Sequence, residues 1–345
     1  MLAARWHAVR DVRLEEVPEP EPGPGKVLVE VACAAVCGSD VAEYRDGPHV
    51  IRVSRPHPLT GQTAPVTLGH EYSGRVAALD AGVQGLLVGD RVCGDSCLRC
   101  SRCRWCLRGE YNICRVGGSV GLHLDGAFAR YLVVPAYALV KLSDAVSARA
   151  GALFEPLAVG LHAVTQGRLQ AGNVVVVVGF GMIGCATALA ATAMGAGEVL
   201  VVEPRQDRAQ LALDLGVTRV LADGLDAARR EIRADIVVEC SGRAELASGA
   251  LELTRRGGRL VLAGIAHAPS ELDLSRVVYF EREVIGALGY RFDLERVVAL
   301  MEAGRLDVTP LLTYDPIPLN AIVEGALERN LTDSAVPLRI FVTPL

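Results

Sequence analysis

The chain has 345 residues and a mass of 36.5 kDa, enough for two or three domains at ~100–200 residues each. Its 51% hydrophobic and 22% charged content is close to the globular average, which excludes disordered and low-complexity scaffolds, and 36 glycines without a triplet period exclude collagen. With 35 basic against 40 acidic side chains, the net charge of -5 does not match the basic footprint of a nucleic-acid binder, so no nucleic-acid partner is expected.

The opening MLAARWHAVRDVRLEE carries charge throughout and has no apolar segment of the kind that directs secretion, so a cytoplasmic location is expected. In that compartment the ten cysteines should be thiols or metal ligands rather than disulfides. The Pro- and Gly-rich run VPEPEPGPGKV (Val17 to Val27) reads as a stiff connector between strands. From Val27 to about Leu142 the apolar stretches are short and separated by Gly and Pro. Val27–Val36, Tyr72–Leu79, Val88–Val92 and Phe128–Val134 are the strand candidates, and the texture suits an all-β unit with long loops.

Near residue 150 the texture changes. Strands are predicted at Val174–Val178, Val199–Glu203, Arg219–Leu221, Ile236–Glu239, Arg259–Ala263 and Val284–Ala287. Helical patterns lie between them at Ile183–Met194, Arg205–Leu215 and Ala244–Arg255. Such alternation predicts a doubly wound parallel sheet with helices on both faces. The uncharged stretch between Arg168 and Glu198 has the length of a membrane span, but its β-branched run, three glycines and Ala-rich helical segment read as a buried strand, turn and helix, so no membrane partner is expected. A helix at Leu294–Ala303 and a strand at Val336–Val342 follow, the latter returning to the β unit. The expected organisation is a β unit of residues 1–150 and 290–345 with an α/β dinucleotide-binding unit, 151–289, inserted in it.

Gly179-Phe180-Gly181-Met182-Ile183-Gly184 is G-x-G-x-x-G, directly after five valines and at the start of a helix. The first glycine permits the tight turn, the second lets backbone approach a pyrophosphate, and the third allows close helix–strand packing. The helix start offers free N–H groups and a positive dipole end to the phosphates. Glu203 follows Gly184 by 19 residues and ends VLVVE, the place for a carboxylate that accepts the ribose hydroxyls. It would repel a 2′-phosphate and so favours NAD over NADP, although Arg205 and Arg208 stand close enough to tolerate one.

Cys100, Cys103, Cys106 and Cys114 have the spacing C-x2-C-x2-C-x7-C, and four thiolates in one short loop suit a closed, structural, tetrahedral zinc site. Cys97 extends the spacing backwards, but that register would need a cysteine where Tyr111 stands, which leaves Cys97 a spare thiol. A second constellation is scattered: Cys37-Gly38-Ser39-Asp40 after a strand, Gly69-His70-Glu71 before another, and Glu155-Pro156 near the junction of the units. A thiolate, an imidazole and a carboxylate with one open position describe a catalytic zinc. Taken singly, the same residues read as a core cysteine, a surface histidine and a helix-start carboxylate.

Taken together and in this order, DVRLEEVPEPEPG, CGSD, LGHE, the cysteine loop, FEPLAVGLHAV and GFGMIG resemble the zinc-dependent medium-chain dehydrogenases over essentially the whole chain. The resemblance implies a GroES-like catalytic domain with an inserted Rossmann domain, two Zn2+ per chain, and a nicotinamide cofactor. It implies that Cys37 and His70 bind the catalytic zinc, with Glu155 in the ligand set and Glu71 able to exchange in. Such a zinc polarises the substrate hydroxyl as a Lewis acid while hydride passes from carbon to the nicotinamide. Within this scheme Ser39 relays the alcohol proton and Asp40 orients the ring of His70. Cys240-Ser241-Gly242, Gly264 and Leu288 stand at later strand ends, where ribose and nicotinamide rest, while Cys33, Cys93, Cys185 and Cys240 itself read as packed thiols.

The segment Glu43–Gly74, with HPLTG just before GHE, is most similar to the butanediol dehydrogenase branch, and GALGY (Gly286–Tyr290) agrees. Arg52 and Arg55 depart from the apolar run expected there. The leading expectation is therefore a dehydrogenase of a vicinal diol or polyol, with 2,3-butanediol/acetoin as the pair. A sugar alcohol, a threonine-like amino alcohol or a biosynthetic cyclitol or sugar intermediate is the alternative substrate. A non-catalytic cofactor-binding protein on the same fold is the reading from another class. By analogy with the family a homodimer or homotetramer is expected.

Overall fold

The structure is a computed structural model and describes residues 1–344. The chain divides into two compact units, one of Met1–Glu155 with the segment from Leu311 onward, the other of Pro156–Pro310. These breaks fall at 155/156 and 310/311, against the expected 150/151 and 289/290.

In the first unit, β1 (Leu2–Ala8) and β2 (Asp11–Glu16) form a hairpin. The next strand, β3 (Lys26–Ala35), turns Val27, Val29, Val31 and Cys33 inward by simple alternation. Then come α1 (Gly38–Asp46), β4 (Val66–Thr67), β5 (Glu71–Leu79), β6 (Arg91–Gly94) and β7 (Cys97–Leu98). After these follow α2 (Arg104–Leu107), β8 (Gly118–Ser119), β9 (Tyr131–Pro135), β10 (Leu139–Lys141) and α3 (Ala148–Ala152). β4 completes a three-stranded sheet in the order β2-β1-β4, and β7 pairs with β8 beside the cysteine loop. β3 is the spine of the main sheet: β5 runs antiparallel along one edge and β9 along the first half of the other. Trp6, Leu68, Tyr72 and Phe128 fill the core beneath.

The second unit opens with α4 (Phe154–Gln166), whose first residues belong to the first unit, and continues through β11 (Val174–Val178), α5 (Met182–Ala193), β12 (Glu198–Val202), α6 (Gln206–Asp214) and β13 (Arg219–Leu221). It then runs α7 (Leu225–Glu231), β14 (Ala234–Glu239), α8 (Ala247–Leu253), β15 (Thr254–Leu262), α9 (Leu274–Tyr279), β16 (Glu283–Gly286) and α10 (Asp293–Glu302). All six strands are parallel, in the order β13-β12-β11-β14-β15-β16. This is the doubly wound order, reversing between β11 and β14, and the crevice for a dinucleotide opens at the carboxyl ends of those two strands. β11 is an unbroken valine run because a central parallel strand is covered on both faces; Val175 to Val178 are buried.

The chain returns to the first unit through β17 (Ile317–Pro318), α11 (Arg329–Thr332) and β18 (Phe341–Thr343), which pairs antiparallel with Ala34 and Ala35 of β3. The final strand begins at Phe341, later than the predicted Val336–Val342, and Pro337, which has no N–H to donate to a ladder, lies outside it. Two other expectations are trimmed. Gly89, at φ +91°, makes a turn out of the start of Val88–Val92. The predicted helix Ala244–Arg255 is a 3-10 turn followed by α8, and Thr254 already begins β15. Among the described residues no helix is long and apolar enough to cross a membrane.

Candidate active site and metal centres

The cysteine loop folds around its own sulfurs. Cys103 Sγ lies 3.5 Å from Cys106 Sγ and 3.8 Å from Cys114 Sγ, and Cys100 Sγ lies 3.9 Å from Cys106 Sγ. Four sulfurs around a zinc at ~2.3 Å would be ~3.8 Å apart in a tetrahedron, whereas a disulfide needs ~2.05 Å. All ten cysteines are free, and the four-sulfur group contains Cys100, Cys103, Cys106 and Cys114 but not Cys97. Backbone N–H groups aim at the sulfurs: that of Cys103 at Cys100 Sγ, 3.3 Å, and that of Cys100 at Cys114 Sγ, 3.5 Å. Donation from the backbone at Cys106 and then Arg115 holds the Cys103 thiol down at about 6, while burial pushes Cys106 up to about 12. The backbone thus favours a thiolate at Cys103, and the four donors fit a closed zinc site.

The second group is assembled from α1 and the start of β5. Cys37 is the N-cap of α1; its backbone N–H donates to Asp40 Oδ2 at 2.9 Å, which fixes the fully buried Asp40 carboxylate. Asp40 Oδ1 then lies 3.5 Å from Nδ1 of the buried His70, and Ser39 Oγ lies 3.4 Å from the other ring nitrogen, Nε2. Cys37, His70 and Glu71 bring their ligand atoms within 4.8 Å of one another. Burial opposes a charge on His70, yet Asp40 and Cys37 hold its pKa well above the ordinary imidazole range.

The structure places one residue here that sequence reasoning did not. Arg339, nine-tenths buried and two residues before β18, donates from Nη2 to Glu71 Oε1 at 2.6 Å, and the same nitrogen lies 3.8 Å from Cys37 Sγ. The other oxygen, Glu71 Oε2, is buried without a hydrogen-bond partner. A half-buried thiol, a buried imidazole and a buried carboxylate with an orphaned oxygen fit a cation with open coordination. Glu155, expected in the ligand set, stays outside the 4.8 Å group. It sits in the first turn of α4 and accepts from Ser96 Oγ at 3.0 Å. Burial pushes its carboxyl up to about 7; His70 opposes that rise and Glu71 adds to it, so these charges feel one another.

In the second unit the glycine motif follows β11 directly. Gly179 adopts φ +86°, and a Cβ on Gly184 would stand 2.0 Å from Gly179 O, so only glycine allows α5 to start this close to the turn. Gly181 is the N-cap of α5, and Met182, Ile183 and Gly184 form its first turn, with no side chain capping their N–H groups. Glu203 is buried after β12: it accepts from Phe180 N at 2.8 Å and from Arg205 N at 3.0 Å, so it is locked against the loop. Arg208 brings Nη1 to 3.8 Å from where a Cβ of Gly181 would be, and its Nε is buried without a hydrogen-bond partner.

After β14, Glu239 organises the neighbouring turn by accepting from the N–H groups of Ser241, 2.7 Å, and Gly242, 3.4 Å. Gly264 comes so close that a Cβ would meet Gly242 N at 2.2 Å. Cys240 is a packed thiol, pushed up to about 12 by burial, 3.6 Å from Thr187 Oγ1. Leu288 follows β16 and is exposed. Arg52 and Arg55 are exposed as well, and neither forms a salt bridge among the described residues.

These two constellations and their frame have close relatives. The family model for the alcohol dehydrogenase GroES-like domain matches residues 23–144, and that for the zinc-binding dehydrogenase matches residues 183–303. The chain is 37% identical over 332 residues to (R,R)-butanediol dehydrogenase of Bacillus subtilis, covering 94% of this chain and 95% of that one. The chain belongs to the zinc-type medium-chain dehydrogenases. Sorbitol dehydrogenase of Bombyx mori is 31% identical, covering 99% of this chain and 97% of its own. The crystal structure of 2R,3R-butanediol dehydrogenase from Bacillus subtilis superposes with a TM-score of 0.92 at 35% identity, covering 100% and 99% of the two chains. This medium-chain dehydrogenase therefore stands in the butanediol and sorbitol dehydrogenase branch, and it is an alcohol or polyol dehydrogenase, an oxidoreductase acting on a small molecule. Its GroES-like and Rossmann architecture is the one expected from the sequence.

Proposed function

We propose that this dehydrogenase oxidises the secondary alcohol of a vicinal diol or polyol with NAD, 2,3-butanediol and acetoin being the leading pair. The observation that carries the reading is the Cys37–His70–Glu71 group, with His70 and Glu71 buried and held by Asp40 and Arg339. Cys37, His70 and a carboxylate drawn from Glu71 and Glu155 would hold one zinc, and Cys100, Cys103, Cys106 and Cys114 a second, structural one. When bound, the first zinc supplies Lewis acidity toward the substrate oxygen. The protein's own residues do the rest. Asp40 keeps the ring of His70 in register, Arg339 keeps Glu71 in place, and Ser39 relays the hydroxyl proton. The balance is alcohol plus NAD+ to ketone plus NADH and one proton.

NAD is favoured because the Glu203 carboxylate is pinned beside the glycine turn, where a 2′-phosphate would meet a second negative charge. Gly179, Gly181 and the first turn of α5 would carry the pyrophosphate, and the turns at Ser241–Gly242, Gly264 and Leu288 the nicotinamide half. A second reading, a more polar or anionic polyol, is favoured by Arg52 and Arg55, which lack carboxylate partners in the long loop. A homodimer or homotetramer goes with either reading, since β16 is an edge strand with an open ladder. The test is reduced-cofactor formation at 340 nm across butanediol stereoisomers, sorbitol, xylitol, glycerol, threonine and a phosphorylated polyol, each with NAD and NADP. Turnover of a butanediol isomer well above the rest supports the first reading. Preference for a charged polyol removes it in favour of the second, and no turnover with two zincs bound removes both.

A further inference from the structure

The second unit carries a concentration of guanidinium groups that the dehydrogenase chemistry does not use. At the amino ends of β14, β15 and β16, opposite the ends that bear the glycine turn, a recess of about 470 Å³ is lined by Arg233, Arg255, Arg256, Arg276 and Arg282, with Glu252 as its one carboxylate. That volume lies within the ~300–1,000 Å³ range of small-molecule sites. Phe280 forms an apolar wall on which three of them stack: Arg256 at 4.6 Å, Arg282 at 4.8 Å and Arg276 at 5.8 Å from the ring centre.

The charges do not balance locally. Glu252 serves two arginines, Arg276 at 3.2 Å and Arg282 at 3.6 Å, Arg276 also lies 3.7 Å from Asp273, and Arg255 is taken by Asp235 at 2.6 Å. Arg233 and Arg256 form no salt bridge among the described residues; Arg233 donates only to the carbonyls of Arg229 and Ile232 at 2.6 Å. Arg282 is more than nine-tenths buried, and of its nitrogens only Nη2 has a hydrogen-bond acceptor, Thr254 O at 2.6 Å; Nε and Nη1 have none. Like charges gathered over an aromatic floor, one of them buried and under-satisfied, are stabilised by an anion whose oxygens can accept from several planar forks at once.

We propose that this recess is a binding site for a small multivalent anion bearing a diphosphate group, separate from the dinucleotide crevice. The inference is independent of the substrate reading, since every residue of the recess lies in the α/β unit and none belongs to either metal group or to the glycine turn.

The experiment is isothermal titration of the full-length, zinc-loaded protein with inorganic diphosphate at constant ionic strength, for the wild type and for the double variant Arg233→Gln/Arg256→Gln. Both positions are exposed, so the variant should fold, and circular dichroism checks that it does. The site predicts saturable binding at one site per chain, weakened roughly tenfold or more in the double variant, because two charge-assisted contacts are lost. Binding of equal strength in both proteins would place the diphosphate elsewhere, the glycine turn included, and overturn the proposal. So would absence of binding, or a double variant that changes only its oligomeric state, which would make the patch a contact between copies of the chain.

Discussion

Replacing Arg339 with Gln takes a guanidinium away from a carboxylate that is wholly inside the protein. Glu71 is 0% exposed and Arg339 9% exposed, and their contact is 2.6 Å. Breaking a buried pair from one side costs about 3–5 kcal/mol, because the surviving charge stays desolvated without its partner. For a domain of this size each kcal/mol corresponds to ~2–4 °C in Tm, so R339Q should melt roughly 10 °C below the wild type. The reciprocal Glu71→Gln leaves an unpaired guanidinium and should cost a similar amount. The double variant, with a neutral pair of amides, should recover much of the loss, giving a coupling of about 2 kcal/mol or more. Differential scanning calorimetry on the zinc-free and zinc-loaded forms separates the pair's effect from that of the metal, since a cation beside Glu71 would shield the carboxylate that R339Q exposes. The drop should therefore be smaller in the loaded protein. Additive single effects, or a loss under about 1 kcal/mol in the zinc-free form, would refute the reasoning and make Arg339 a bystander.

Four other measurements follow from the same geometry. Cys106→Ser removes one of four sulfurs and should lower bound zinc, measured by atomic emission, from about two per chain to about one, with a loss of thermal stability. Gly184→Ala puts a methyl 2.0 Å from Gly179 O, so the turn must open, and dinucleotide affinity measured by fluorescence titration should fall at least ~10-fold while the zinc content stays unchanged. Glu203→Gln should narrow the preference for NAD over NADP by roughly 10-fold in kcat/KM, the loss of repulsion toward the 2′-phosphate being the cause; an unchanged ratio would remove Glu203 from cofactor selection. His123, whose pKa burial and the neighbouring His57 lower from 6.5 to about 4, stays neutral in the fold while the unfolded chain takes up a proton as pH falls below 6.5. Its contribution is thus present above pH 6.5 and lost between there and about 4, and His123→Asn should flatten the pH dependence of Tm in that window.

What the sequence made legible were features whose physics is local. Five consecutive valines, three glycines at fixed spacing and an acidic residue ending the next strand define the dinucleotide turn within 30 residues, and Gly179 and Gly184 take the geometry that their spacing demands. The cysteine loop is local too, and the register argument that set Cys97 aside agrees with the sulfur group that forms. The first metal group is different, because it gathers residues that are distant in the chain. Cys37 and His70 carried recognisable neighbours, CGSD and LGHE, whereas Arg339 lies 268 residues from Glu71 and its only mark in the sequence is a lone charge inside the apolar run PLRIFV. A charge in such a run must find a buried partner or turn out to solvent, and Arg339, just ahead of β18, finds Glu71. Glu239 left a similar mark as the carboxylate closing VVE; its task of collecting the N–H groups of Ser241 and Gly242 emerges only once the turn folds back on it.

The choice between Glu71 and Glu155 follows from the same electrostatics. With Arg339 holding Oε1 of Glu71, the second oxygen of that carboxylate is left free beside the thiol and imidazole. Among the described residues the Ser96 hydroxyl is the hydrogen-bond donor to Glu155, and burial pushes its carboxyl up to about 7, which makes it a weaker anion at neutral pH. A bound cation would lower the cost of a second buried carboxylate, and on the proposed reading Glu155 would then join the ligand set. Zinc affinity should then fall in both Glu71→Gln and Glu155→Gln, and fall further in R339Q/E155Q than in E155Q, because one carboxylate is then gone and the other has lost its guanidinium partner. Competition with a chromophoric chelator reads these affinities directly. If E155Q binds zinc as tightly as the wild type, Glu71 alone completes the set and Glu155 serves only Ser96.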